Sequence, residues 1–222
     1  MMSTQERWLQ GVEPEVRFWR HWLHTGGDRW PDEYRYRTDP DAEVEPGLFA
    51  FLGEPRVVRV LDVGSGPLTS VGKVWKGHRI ELHACDALAD EYRRIPYPPG
   101  LPLVDVTAVR SEALSSAFDE GTFDLVFARN TLDHGLDPLT ALREMILVAK
   151  GGGLIVTEHW PFEGTNEGWS GFHQWDFFVE DRQWMMRDRT GSTTSITREV
   201  QDVVAQIHIS EATSCFVVFK KG

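Results

Sequence analysis

The stretch Val60-Leu61-Asp62-Val63-Gly64-Ser65-Gly66-Pro67 limits this chain's choice of fold more than any other. An apolar, β-branched run reads as a buried strand, here ending in an acidic residue and a glycine turn. Such a turn needs glycine where the backbone bends sharply and where a ligand comes close to it. A second apolar run, Ile80 to Cys85, leads into Asp86, 20 residues beyond Gly66. At that spacing, a carboxylate at the tip of the second strand accepts hydrogen bonds from the ribose of a bound nucleoside. The pattern predicts an α/β fold with a nucleoside-cofactor pocket.

Two common phosphate-binding patterns fit the turn poorly. The dinucleotide fingerprint requires a third glycine where Thr69 stands. In a phosphate loop built on Gly72-Lys73, Val74 replaces the magnesium-binding hydroxyl and Pro67 replaces the first loop glycine.

The rest of the chain alternates strand and helix signals. Strands are expected near 57–63, 80–85, 103–106, 123–128 and 154–159, and helices near 89–94, 112–117 and 139–149. Asp137-Pro138 is a start signal for the last helix. Alternation of this kind predicts a parallel sheet covered on both faces. Two final strands, 203–208 and 215–220, are expected to pair antiparallel. Ahead of this core, 15–25 reads as an amphipathic helix with Pro14 in its first turn and Gly26-Gly27 as its stop. A shorter helix over 30–37 ends at Asp39-Pro40. Open α/β sheets bind ligands outside the C-terminal ends of their strands, and Gly64, Asp86, Asn130 and His159 all fall at such ends.

Asp62-Val63-Gly64-Ser65-Gly66-Pro67-Leu68 resembles motif I of the class I methyltransferases that use S-adenosylmethionine, acid-x-Gly-x-Gly-x-Gly, with Leu68 in the third glycine's place. Asp86-Ala87-Leu88 is similar to the family's ribose-binding motif II, and Arg110-Ser111-Glu112-Ala113-Leu114 to the segment that meets the adenine. Gly121 to Phe127 resembles the fourth strand, and Asn130-Thr131-Leu132-Asp133-His134 the turn after it. Leu142-Arg143-Glu144 through Lys150-Gly151-Gly152-Gly153 to Val156 resembles the helix, glycine turn and fifth strand. The likeness runs from about 57 to 160. It implies a Rossmann-like, seven-stranded, mostly parallel sheet with helices on both faces. It implies S-adenosylmethionine as cofactor, leaving as S-adenosylhomocysteine, held by Asp62, Gly64, Ser65, Gly66, Pro67, Asp86, Ala87, Leu88, Glu112, Ala113 and Asn130. The chain then divides into an N-terminal helical cap, 1–53, and a methyltransferase domain, 54–222.

Methyl transfer is an in-line displacement with a good leaving group, so alignment and exclusion of water do most of the work. A general base helps when the acceptor is a hydroxyl or a protonated amine. His134, His159 and His173 are the candidate catalytic residues, with His159 expected at the pocket rim. Each has a plain alternative as a packing or loop-tying histidine. Of nine tryptophans, Trp160, Trp169, Trp175 and Trp184 gather in an aromatic-rich segment, 160–190. Trp160, Phe172 and Trp175 are the expected acceptor wall, or else a second packing layer. Tyr34, Arg35, Tyr36 and Arg37 are candidates for the methionine carboxylate, against the alternative of an exposed charged face. Asn130 to His134 also resembles a Glu-x-x-Glu-His segment that binds a divalent ion in some O-methyltransferases. With one of its carboxylates replaced by Asn130, a hard-cation site is weakened, and no metal is expected.

The formal net charge is −11, with no dense Lys/Arg run, so neither nucleic acid nor an anionic membrane is an expected partner. Cys85 and Cys215 sit in apolar runs and read as buried thiols. Met1 to Gln10 is polar and no run approaches membrane-span length, so a cytoplasmic protein is expected. The function expected first is methylation of an oxygen or nitrogen of a small molecule. A protein methyltransferase, a non-catalytic domain binding the cofactor or a partner, and a nicotinamide oxidoreductase remain as alternatives. Oligomeric state is left open.

Overall fold

The computed structural model describes residues 3–49, 58–101, 103–211 and 214–222. The first element, α1 (Thr4–Thr25), begins at Thr4, well before the predicted start at Glu15. Ser3 and Glu6 form a capping box, and Pro14 lies inside the helix. Two backbone N–H groups satisfied at Ser3 and Glu6 outweigh the single bond that Pro14 cannot donate. Next come α2 (Pro31–Thr38) and the single turn α3 (Pro46–Phe49). The expected boundary between cap and domain, at 53, and the first residue of the predicted strand 57–63 lie outside the described residues.

The core then runs β1 (Arg59–Val63), the small hairpin β2 (Val74–Trp75) and β3 (His78–Arg79), β4 (Glu81–Asp86), α4 (Ala89–Tyr92) and β5 (Val106–Ala108). A 3-10 turn over Ser111–Ser116 leads to β6 (Phe123–Arg129), and a second, Leu132–His134, leads to α5 (Pro138–Val148) and β7 (Ala149–His159). Asp137 caps α5 by accepting from the N–H groups of Leu139 and Thr140. After α6 (Glu163–Asn166) come β8 (Trp175–Glu180), β9 (Gln183–Asp188), β10 (Thr193–Ser195) and α7 (Ile196–Val200). The described chain closes with β11 (Val204–Glu211) and β12 (Cys215–Lys221). The predicted helix at 112–117 is thus a 3-10 turn, and the strand expected at 103–106 is shifted to 106–108.

Seven strands form one sheet in the order β11-β12-β7-β6-β1-β4-β5. The five strands from β7 to the β5 edge run parallel, while β12 is antiparallel to both β7 and β11. Register aligns the strand ends: Val63 lies opposite Cys85 and Ala128, and Arg129 opposite Glu158. The segments that follow Val63, Cys85, Arg129 and Glu158 therefore leave the sheet at one edge.

Both faces are buried, which explains the nearly continuous apolar runs. Leu61, Val63, Val126, Ala128 and Ile155 pack under Leu142 and Met145 of α5 and Val200 of α7. Val60, Leu125, Phe127 and Val156 pack under Leu48 of α3, with Val44 and Val71. The aromatic segment 160–190 contributes most of a second, three-stranded antiparallel sheet, β10-β9-β8, that reading along the sequence missed. Phe177, Trp184 and Met186 turn into the core shared with α5. Cys85 and Cys215 are buried thiols. Among the described residues, no helix is long and apolar enough to cross a membrane.

Candidate active site

At the strand-end edge lies a cavity of about 890 Å³, lined by Gly64, Ser65, Gly66, Asp86 and residues from five other segments. Its floor is the glycine turn. Gly64 and Gly66 both hold left-handed backbone, φ 66° and 64°. The Gly64 and Ser65 N–H groups donate to the Cys85 carbonyl at 2.8 and 3.1 Å, which ties the turn to β4. A Cβ on Gly64 would overlap the Thr131 side chain, and one on Gly66 would come within 2.6 Å of the Trp19 ring. Glycine is thus required for backbone conformation and for space.

Asp62 turns inward, only 1% exposed, and does not line the cavity. Its Oδ2 accepts from the Thr69 hydroxyl at 2.7 Å and the Ser70 N–H at 2.8 Å. Burial raises its pKa. It shapes the turn from behind, where it was expected to meet the cofactor directly. Pro67 and Ala113 likewise lie outside the cavity lining.

Asp86 stands at the tip of β4, where its Oδ2 accepts from the Gly66 N–H at 2.9 Å and its Oδ1 from the Leu88 N–H at 2.8 Å. Burial pushes its carboxyl up to about 7 against those two hydrogen bonds. Ala87, Leu88, Glu112 and Asn130 also line the cavity. Glu112 Oε1 accepts from the Leu136 N–H at 2.6 Å, fastening the adenine-side segment to the start of α5. Asn130, at φ 45°, accepts from the Trp160 N–H at 3.0 Å and so joins the loops after β6 and β7.

The N-terminal helices lie over this floor. Trp22 and Leu23 pack with Leu68, Leu88, Tyr92 and Phe172. Arg37 donates to the Ser65 and Leu68 carbonyls at 3.2 and 2.7 Å, and its guanidinium lies 5.4 Å from the Trp19 ring centre. Of the four residues at 34–37, only Arg37 lines the cavity. The Tyr36 hydroxyl donates to the Glu43 carbonyl, and Tyr34 packs on Trp22.

The opposite end of the cavity holds a charged cluster. Asp133, 1% exposed, has its Oδ2 at 2.9 Å from His173 Nδ1 and 3.3 Å from His134 Nε2. Two tertiary hydrogen bonds bring His173 there from 40 residues away. The Gln174 N–H donates to the Asp133 carbonyl at 3.0 Å, and the Trp175 indole to the Gly135 carbonyl at 3.0 Å. Burial acts to raise the Asp133 carboxyl, but His134, His159 and His173 together hold it well below the usual carboxylate range. Burial likewise opposes charge on His173, and Asp133 overcomes this and raises its pKa. Glu163, with Oε2 3.8 Å from His173 Nδ1, is pushed up to about 7 by burial and by Asp133.

His134, His173, Trp160 and Phe172 line the cavity; His159 and Trp175 do not. His159 shares a face of β7 with Ile155 and Thr157, and β8 and β9 cover that face. Its ring centre lies 4.6 Å from Phe177 and 6.1 Å from Trp184, and it is 1% exposed rather than at the rim. Trp175 packs against the main core. Reading the sequence missed Trp8, Thr131 and Glu163 as lining residues. Of these, Trp8 carried a signal, through the capping box that extends α1 to include it.

This glycine turn and second-strand acid, at the edge of a sheet whose strand order reverses at β1, define an α/β protein built to hold a nucleoside cofactor. Residues 61–157 match the model of a family described as methyltransferase domain. That match and the fold together identify an S-adenosylmethionine-dependent methyltransferase domain over these residues, with S-adenosylmethionine as its cofactor. No curated protein matches it in sequence.

Solved structures share its fold at low identity. A Burkholderia thailandensis 1,6-didemethyltoxoflavin-N1-methyltransferase, bound to 1,6-didemethyltoxoflavin and S-adenosylhomocysteine, is 16% identical with a TM-score of 0.51. The match covers 100% of this chain and 91% of that one. CalH with S-adenosylhomocysteine is 12% identical, TM-score 0.53, over 80% of this chain and 55% of its own. The CurJ carbon methyltransferase is 12% identical, TM-score 0.51, over 78% and 51%. The chain thus spans about half the length of the latter two.

The cradle fits the cofactor: the glycine turn floors the cavity, and the Asp86 carboxylate lines it where a ribose is expected. Asp86→Ala is expected to weaken S-adenosylhomocysteine binding at least tenfold, or about 1.4 kcal/mol. Since the ionised carboxylate is the stronger acceptor, affinity is also expected to fall as pH drops through about 7, the value to which burial raises Asp86. Calorimetry at pH 8.5 and 5.5 on the wild type and Asp86→Asn checks this. An equal pH dependence in the two would exclude Asp86 as its source.

Proposed function

We propose that the chain methylates an oxygen or nitrogen of a small molecule. The supporting observation is that the cofactor cradle and the Asp133, His134 and His173 cluster open into one cavity. S-adenosylmethionine supplies, when bound, a methyl group already activated on sulfonium. Asp86 and the glycine turn hold the nucleoside; Asp62 keeps that turn in shape. Trp160 and Phe172 flank the acceptor, with Trp175 bracing the loop behind them. His134 and His173 face the acceptor's nucleophilic atom, and Asp133 fixes their position.

The N-terminal helices, within the cap 1–53, exclude water from above. Trp8 stacks on Phe172 at 5.1 Å, and Arg110 lies 4.5 Å from the Trp8 ring centre. This closure favours a small acceptor over a protein segment, which needs an open groove. Two buried thiols fit a reducing compartment, and we assign the protein to the cytoplasm.

The test is methyl transfer from labelled S-adenosylmethionine to a panel of phenols, hydroxy acids and heterocyclic amines, with a protein extract in parallel. A labelled small molecule, formed by the wild type and not by Asp86→Ala, is expected. Label found only in protein would overturn the reading, as would no transfer to any acceptor.

A further inference from the structure

We propose that Asp133, His134 and His173 form a binding site for a divalent transition-metal ion at the acceptor end of the cavity. The inference deepens the methyl-transfer reading and rests on it for the role of the ion. Asp133 Oδ2, His134 Nε2 and His173 Nδ1 converge, with separations from the carboxylate of 3.3 and 2.9 Å and all three within 4.8 Å of one another. Metal–ligand bonds of about 2.0–2.2 Å set neighbouring donors about 3 Å apart, so the two short edges are already those of a coordination shell.

Hydrogen bonding accounts for only part of the cluster. His134 Nε2 and Asp133 Oδ1 are buried and have no hydrogen-bond partner. A cation beside Asp133 Oδ2 gives the buried His134 nitrogen the partner it lacks, while Asp133 Oδ1 lies on the other side, 3.7 Å from His159 Nδ1. Glu163 Oε2, 3.8 Å from His173 Nδ1, is a further oxygen donor within reach.

Two imidazoles and a carboxylate suit zinc, cobalt, manganese or iron(II) rather than the oxygen-seeking magnesium or calcium. The weakness of the strand-four turn, a single carboxylate, is made good by a nitrogen from beyond β7 that spacing along the chain does not reveal. His134 and His173 line the cavity, so open coordination positions face the acceptor. An acceptor hydroxyl bound there loses its proton to solvent more readily, because the cation stabilises the oxyanion.

The test uses the full chain, stripped with a chelator and titrated with Zn2+ while the imidazole nitrogens are followed by NMR. The expected result is one ion per chain, with His134 bound through Nε2 and His173 through Nδ1, so that His173 carries its proton on Nε2. A Co2+ titration read by its visible absorption should saturate at the same stoichiometry. Affinity should drop at least tenfold in His134→Ala and His173→Ala and hold in His78→Ala, which alters an exposed histidine on β3. S-adenosylhomocysteine titration reports whether each variant is folded, and the wild-type spectra decide the matter if either is not.

Wild-type imidazole signals that stay unmoved by Zn2+ would overturn the site. So would binding that survives both substitutions. Methyl transfer that persists in chelator, without metal binding, rejects the site and keeps the methyltransferase reading. Metal binding with no transfer to any acceptor does the reverse.

Discussion

Asp133→Asn is expected to lower turnover about 100-fold or more, within the range usual for losing a group that serves the reacting atoms. S-adenosylhomocysteine affinity should stay within about twofold. Asp133 is buried behind the acceptor end of the cavity, and its Oδ2 meets both His134 and His173. An asparagine of the same shape presents an NH2 where one carboxylate oxygen stood, and it carries no charge to hold the two imidazoles together. The glycine turn and Asp86 make none of these contacts, so the cofactor site is spared. Steady-state kinetics with calorimetry on the same preparation separates the two effects. Turnover within threefold of wild type would remove the cluster from the reaction.

Gly64→Ala acts at the other end. Left-handed backbone costs a residue with a Cβ about 1–2 kcal/mol, before any crowding. Here the new methyl group also overlaps the Thr131 side chain on the loop after β6, and relief requires that loop or the turn to move. Either movement disturbs the surface on which the cofactor lies. The expected outcome is loss of S-adenosylhomocysteine binding by more than about 100-fold and a stability loss of about 2–3 kcal/mol. Thermal melts and calorimetry measure both. If Gly64→Ala,Thr131→Ala regains binding over Gly64→Ala alone, crowding is the cause; if it does not, backbone strain dominates.

The glycine turn and the acid beside it were legible in the sequence because they are local. Gly64, Gly66 and Asp86 belong to one strand-turn-strand unit, and their conformations follow from residue type and spacing. The two closing strands and the start of α5 were equally readable, from apolar runs and from Asp137-Pro138. The start of α1 was legible too, in Ser3 and Glu6, but Pro14 drew attention from it.

His159 shows where such reading stops. Alternation along β7 places it on one face with Ile155 and Thr157, yet only the cover on that face decides whether it meets solvent or core. The cover is β8 and β9, whose aromatic residues read as a wall for a ligand.

By itself the sequence determined an α/β alternation, the glycine turn with the acid that follows the next strand, and the likeness to a methyltransferase domain, because these are written in residue type and local spacing. The tertiary structure alone decided which histidines line the cavity, that Asp133 lies between His134 and His173, and that α1 lies across both ends of the cavity. These depend on the meeting of segments many residues apart. Residue type and spacing say what a segment prefers, whereas packing and shared hydrogen bonds select its partner.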